Sequence, residues 1–435
     1  MPAADDDPIA LLLAGRYPDP ETGELLAAES RAVVIEDSLA GSEDELVASL
    51  GVDRHLAVVS DATTFEVLGA RVVRALSGRF AVQSVVLGAA PHADAETAAS
   101  LGAALDPRTD AIVAVGSGTV NDLTKLVAFE RGCPQLVFAT APSMNGYTSL
   151  SASIMIDGVK RSVRTQTPIG AFFDLRVLAA APPRLIRSGL GDSACRPTAQ
   201  ADWLLAHLLL DRPYREAPFA LLAADERALF AQPDALVGGD LAAMRHLVRT
   251  LVLSGFGMTL AGGSFPASQG EHLLSHYLEM MRPPEVSLGF HGEQIGVCTV
   301  AMARLQDELL AFDAPPVLHA TTRTREDLVA HFGPVIGEAC WHELDQKRLD
   351  RARADELNAR LEARWDDLRA ALRAVTLGAR ATIELLAAAG APVTPRELGW
   401  PDALFDQALR HAREIRNRYT VLDLAADARF GFART

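Results

Sequence analysis

Nowhere in its 435 residues does the chain hold about 18 consecutive uncharged apolar residues, the length a transmembrane helix needs, so no membrane span is expected. Cysteine is scarce: Cys133, Cys195, Cys298 and Cys340 lie far apart and form no CxxC pair. They read as reduced, mostly buried thiols of a cytosolic protein. Positive charge is also short, with 41 Lys and Arg against 56 Asp and Glu. The resulting net charge of −15 argues against nucleic acid or an anionic membrane as the main partner. It does not exclude an anionic small-molecule substrate held in a local basic pocket. The opening MPAADDDPIALLLAGRY has acids where a secretory leader has bases, and its apolar run is short, so a cytoplasmic location is expected. No repeat of fixed period occurs.

What is present describes a well-packed globular protein, 49% hydrophobic and 22% charged, too long for one ordinary core. Residues 1–30 are polar and turn-rich and predict a loose arm or edge segment. Strands are then expected at Arg31–Glu36, His55–Ser60, Ala81–Leu87, in AIVAV from Ala111, and at Gln135–Ala139. Helix-length segments separate them. Such apolar, non-alternating strands predict a parallel sheet covered on both faces, with ligands at its carboxyl ends. SASIMID and VKRSVRT around Asp157-Gly158 predict a hairpin carrying Lys160, Arg161 and Arg164. From about residue 183 strand-like runs vanish and helical periodicity takes over. The expected fold is thus an α/β domain over residues 1–183 and a mainly α-helical domain over 184–435.

Two constellations carry chemistry. In AIVAVGSGTVND a strand runs through Gly116-Ser117-Gly118-Thr119 into a helix, the arrangement that sets backbone N–H groups and a helix dipole against a phosphate. It is not a GxGxxG fingerprint, and read alone it is equally a tight turn. Asp61 and Thr140–Ser143 fall at other strand ends; Asp61 suits a ribose diol and equally a helix cap. In the helical half, GEHLLSHYLEM puts His272 and His276 on one helix face, and FHGEQ brings His291 back beyond a Pro-rich turn. Imidazoles from these two neighbouring helices plus one carboxylate, Asp192 in a Gly-rich turn expected to open the first long helix, suggest a three-ligand catalytic metal site with an open position. The plainer alternatives are surface histidines and an N-cap at Asp192. The remaining histidines read as structural.

GSGTVNDLTK, TAPSMNGYTS, GVKRS, SGLGD followed by DW, EHLLSHYL and HGEQIGVCT occur in this order. Together they resemble the glycerol-1-phosphate dehydrogenases, within the superfamily of metal-dependent polyol dehydrogenases and dehydroquinate synthases. The resemblance implies a Rossmann-like N-terminal domain binding NAD(P), a helical C-terminal domain, one divalent metal (zinc or nickel), a polyol phosphate substrate, a homodimer, and a place in phospholipid metabolism. It implies dinucleotide contacts from Gly116, Ser117, Gly118, Thr119, Val120, Thr140, Ser143 and Ser149, with Asp61 on the adenosine ribose. Asp192, His272 and His291 would hold the metal; His276 and Asn145 would touch the substrate, with His276 as proton relay. Asn145 departs from the acidic residue the family usually has there, and cannot take a proton. A different polyol dehydrogenase, an NAD-using sugar-phosphate cyclase and a non-enzymatic nucleotide binder are the competing expectations.

Overall fold

Six apolar segments pair side by side into one all-parallel sheet in the computed structural model, which describes residues 7–88 and 90–434. They are β1 (Ala32–Glu36), β2 (His55–Asp61), β3 (Ala81–Leu87), β4 (Ala111–Gly116), β5 (Gln135–Ala139) and, after a hairpin of β6 (Ser151–Ile156) and β7 (Val159–Arg164), β8 (Gly170–Asp174). The order across the sheet is β1-β8-β5-β4-β2-β3. Every residue of β4, β5 and β8 is buried, whereas the edges β1 and β3 are partly exposed. That difference explains why β4 and β5 read as unbroken apolar runs. The sixth strand, GAFFD, was not among the expected strands; pairing on both sides with β1 and β5 makes it one.

The predicted hairpin is present, with Asp157 and Gly158 both at positive φ (51° and 76°). Two left-handed residues in a two-residue loop match the twist of the flanking strands, and Gly is the residue that tolerates this best. The N-terminal segment is more ordered than expected. Asp7 caps a helix over Pro8–Leu13, and Tyr17–Pro18 pairs with Leu25–Leu26.

From Pro183 onward the described chain is helical, with no further strand. The chain divides into two compact units, Met1–Ser193 with Glu216–Ser264, and Ala194–Arg215 with Phe265–Thr435. The first contains the sheet, the helix α1 (Gly118–Arg131) that follows β4, α2 (Pro183–Ala194) and α3 (Leu241–Leu260). The second contains α4 (Gly270–Met281) and α5 (His291–Leu310), packed on each other. Its core gathers Leu273, Leu274, Tyr277 and Leu278 of α4 with Val297, Cys298 and Met302 of α5. Among the described residues no helix is long and apolar enough to cross a membrane, and all four cysteines are buried free thiols.

Candidate active site

In the sheet unit the chain leaves β2 outward to β3 and returns to β4 on the other side of β2. Such a reversal opens a crevice at the carboxyl ends of the two flanking strands, where α/β sheets take their ligands. Asp61 ends β2 and Gly116 ends β4. Ser117 caps α1 with extended backbone, and its side chain makes no capping bond. The first-turn N–H groups of α1 are therefore not consumed by that hydroxyl. Gly116 is required for packing: a Cβ there would lie 2.6 Å from the Cβ of Val120. Val120 is 1% exposed, so its side chain serves the strand–helix contact. Asp61 is the cap that sequence reading left open, its Oδ1 accepting from the N–H of Thr64 at 2.8 Å while Thr64 Oγ1 accepts from the N–H of Asp61 at 3.0 Å.

Thr140, Ser143, Asn145 and Ser149 lie on one segment after β5, and that segment is clamped from three sides. Gly189 of α2 lets the helix touch it backbone to backbone, since a Cβ would sit 1.7 Å from the carbonyl oxygen of Pro142. Gly255 of α3 does the same, with an added Cβ 2.1 Å from Thr148 Oγ1 and 3.1 Å from Asn145 O. From α1, Lys125 donates to Gly146 O at 2.7 Å and Ser149 O at 2.9 Å. Smaller ties complete the clamp. Ser188 Oγ donates to Ser143 O (3.1 Å), Tyr147 to Ala141 O (2.7 Å), and the N–H of Asn145 to Asp192 Oδ2 (2.8 Å). The Ser149 hydroxyl turns inward to Gly146 O and Ser151 O, both at 3.0 Å.

Lys125 is wholly buried. Burial pushes its pKa down to about 8, against the pull of Asp122, whose own carboxyl burial pushes up. Committed to the carbonyls of Gly146 and Ser149, this ammonium is a structural strut. Asp192 is 1% exposed and lies in the last turn of α2. The glycines before it are thus helical and no turn opens there, which removes the N-cap alternative. Gly189 is inside the helix because only a missing Cβ permits the contact with Pro142.

In the helical unit, α4 and α5 bring the three imidazoles together. The His272 ring centroid lies 5.2 Å from that of His291 and 5.9 Å from that of His276. His272 and His276 are 6% and 5% exposed, and His291, the first residue of α5, is half-buried. His272 Nδ1 donates to Glu271 Oε1 at 2.9 Å. With the proton on Nδ1, the lone pair is on Nε2, the form in which a histidine ligates a metal. Cys195 Sγ, a Glu271 oxygen and a His272 nitrogen lie within 4.8 Å of one another. Sequence reading missed Glu271, though its place directly before His272 was a signal, and it missed the Lys125 strut. Four other histidines, His207, His246, His331 and His411, are hydrogen-bonded to neighbours, in keeping with their structural reading.

The profile of the iron-containing alcohol dehydrogenase family matches residues 34–182. A glycerol-1-phosphate dehydrogenase of Halalkalibacterium halodurans, named for NAD(P)+, is 30% identical over 85% of this chain and 85% of its own. The Bacillus velezensis enzyme of the same name is 30% identical over 91% and 92%, and that of Pyrococcus furiosus 32% over 63% and 78%. Among solved structures, glycerol dehydrogenase from Schizosaccharomyces pombe superposes with a TM-score of 0.60 at 16% identity, covering 94% of this chain and 90% of that one. A butanol dehydrogenase from Thermotoga maritima gives 0.59 at 14%, covering 91% of each. These structural likenesses speak for the fold alone, which is the two-part architecture expected from the sequence. Identity near 30% over most of both chains carries the rest: the chain belongs to the glycerol-1-phosphate dehydrogenase family of iron-containing alcohol dehydrogenases.

Proposed function

We propose that this protein interconverts sn-glycerol 1-phosphate and dihydroxyacetone phosphate, using NAD(P) and one divalent metal. What supports the activity is the kinship with NAD(P)+ glycerol-1-phosphate dehydrogenases over most of the chain. The local chemistry agrees. The α1 N-terminus and the Gly116–Gly118 turn take the pyrophosphate, with Asp61 at the ribose and Thr140, Ser143 and Ser149 along the dinucleotide. His272 and His291 hold the cation, and Asp192 is the third ligand. Neutral imidazoles with a carboxylate suit borderline ions such as zinc or nickel. When bound, such an ion polarises the ketone and acidifies the alcohol. His276, one helical turn from His272, carries the proton to and from solvent. The Asn145 amide orients a substrate hydroxyl by hydrogen bonding and takes no part in proton transfer. A homodimer in the cytoplasm, making a lipid precursor, is the setting this reading implies.

The test is a panel of glycerol 1-phosphate, glycerol and other polyols, read by NAD(P)H absorbance on metal-loaded protein. Glycerol 1-phosphate should lead. His272→Ala and His291→Ala should each lose bound metal and turnover. Full activity in either metal-free variant would refute the mechanism. Because Asn145 stands where the family usually has an acid, a panel led by an unphosphorylated polyol would move the assignment to a sister polyol dehydrogenase.

A further inference from the structure

Resting on the metal site just proposed, we infer that Glu271 is a positioning residue for His272: its carboxylate sets the ring's tautomer and strengthens its grip on the cation. Glu271 has no exposed surface. Its Oε1 accepts two hydrogen bonds, from His272 Nδ1 at 2.9 Å and from the N–H of Gln269 at 2.7 Å. The surroundings are hostile to a second negative charge. Burial and the charge of Glu271 push nearby Asp202 up to about 8. Asp202 is held there by Gly270 N–H (3.1 Å), Val421 N–H (3.0 Å) and Gln306 Nε2 (3.2 Å).

The plain account of Glu271 is a helix cap, since its bond to Gln269 N–H closes the first turn of α4. A cap does not require burial. An exposed Ser, Asn or Asp caps as well, and taking a carboxylate fully out of water is unfavourable unless it has work for its charge. The imidazole supplies that work. A carboxylate on Nδ1–H keeps the lone pair on Nε2 and raises its basicity, and losing such a partner commonly weakens metal binding about 10- to 100-fold. The neighbouring Cys195 thiol reaches Ala267 O at 3.8 Å.

Glu271→Gln separates the two accounts. The amide oxygen still caps Gln269 N–H, but the charge on Nδ1 is gone. Full-length protein is stripped with a chelator and titrated with Co²⁺ against a chromophoric competitor, while apo melting temperature and the Co²⁺ visible spectrum are recorded. Glu271→Gln should melt like wild type without metal, bind Co²⁺ about 10- to 100-fold more weakly, and shift the visible band. Unchanged affinity overturns the inference, as does an affinity loss that only accompanies a lower apo melting temperature, which would mark a cap. If wild type itself fails to bind Co²⁺, or His272→Ala binds it equally well, the metal site falls first and the cause is identified.

Discussion

Replacing Gly189 by Ala tests whether the segment carrying Thr140, Ser143, Asn145 and Ser149 is held by backbone contact. The new Cβ would stand 1.7 Å from Pro142 O and 2.9 Å from Pro142 C. An ordinary carbon–oxygen contact lies near 3.4 Å, so helix and segment must part by about 1.7 Å or distort. The obstacle is a carbonyl, and no side-chain rotation relieves it. Overpacking of this kind costs about 3 kcal/mol at the upper end of the usual range. Alanine returns about 1 kcal/mol through its better helix propensity. The net expectation is a loss of about 2 kcal/mol, together with a higher KM for NAD(P)+ because the segment moves. Gly102 supplies a control of opposite sign. It is inside the Ala95–Ala104 helix, and a Cβ would meet only Val127 Cγ1 at 3.7 Å. Gly102→Ala should therefore gain up to about 1 kcal/mol. Urea denaturation followed by circular dichroism, paired with steady-state kinetics, reads both. If Gly189→Ala proved as stable as wild type and kept its KM, the clamp would not be what places the segment.

Lys125 makes stability depend on pH. The unfolded lysine holds its proton up to about 10.5 while the folded one releases it near 8. Between those values the unfolded state binds more protons, so stability should rise with pH by a few kcal/mol, on the order of 3. Lys125→Met should flatten that rise, and a wild-type unfolding free energy from urea titrations that is equal at pH 8 and pH 10 would contradict the assignment. Asp61→Ala should cost about 1 kcal/mol through the lost cap, with KM for NAD(P)+ raised if the residue also meets the ribose; a melting curve and a cofactor titration separate the two effects. His276→Ala should retain metal and lose kcat; metal loss measured by elemental analysis would make it a ligand instead.

Much of this protein was legible in its amino-acid order. The strands at His55, Ala111 and Gln135 announced themselves because central parallel strands are apolar on both faces, and Asp157-Gly158 announced its turn because few residue pairs tolerate two positive φ angles. The glycine bend before α1 and the His272–His276 spacing are local patterns, so they too could be read in place. What tertiary structure decided is everything that depends on partners distant in the chain. GAFFD became a central strand only by finding β1 and β5. The helix Leu241–Leu260 joined the sheet unit, and residues 194–215 the other, because burial of a helix face is settled by what lies opposite it. Lys125 became a strut only because twenty-odd residues of intervening chain folded back onto it. Periodicity reports which face of an element turns inward; it carries no record of the neighbour met there, and that neighbour fixed the roles of Lys125, Gly189 and Glu271.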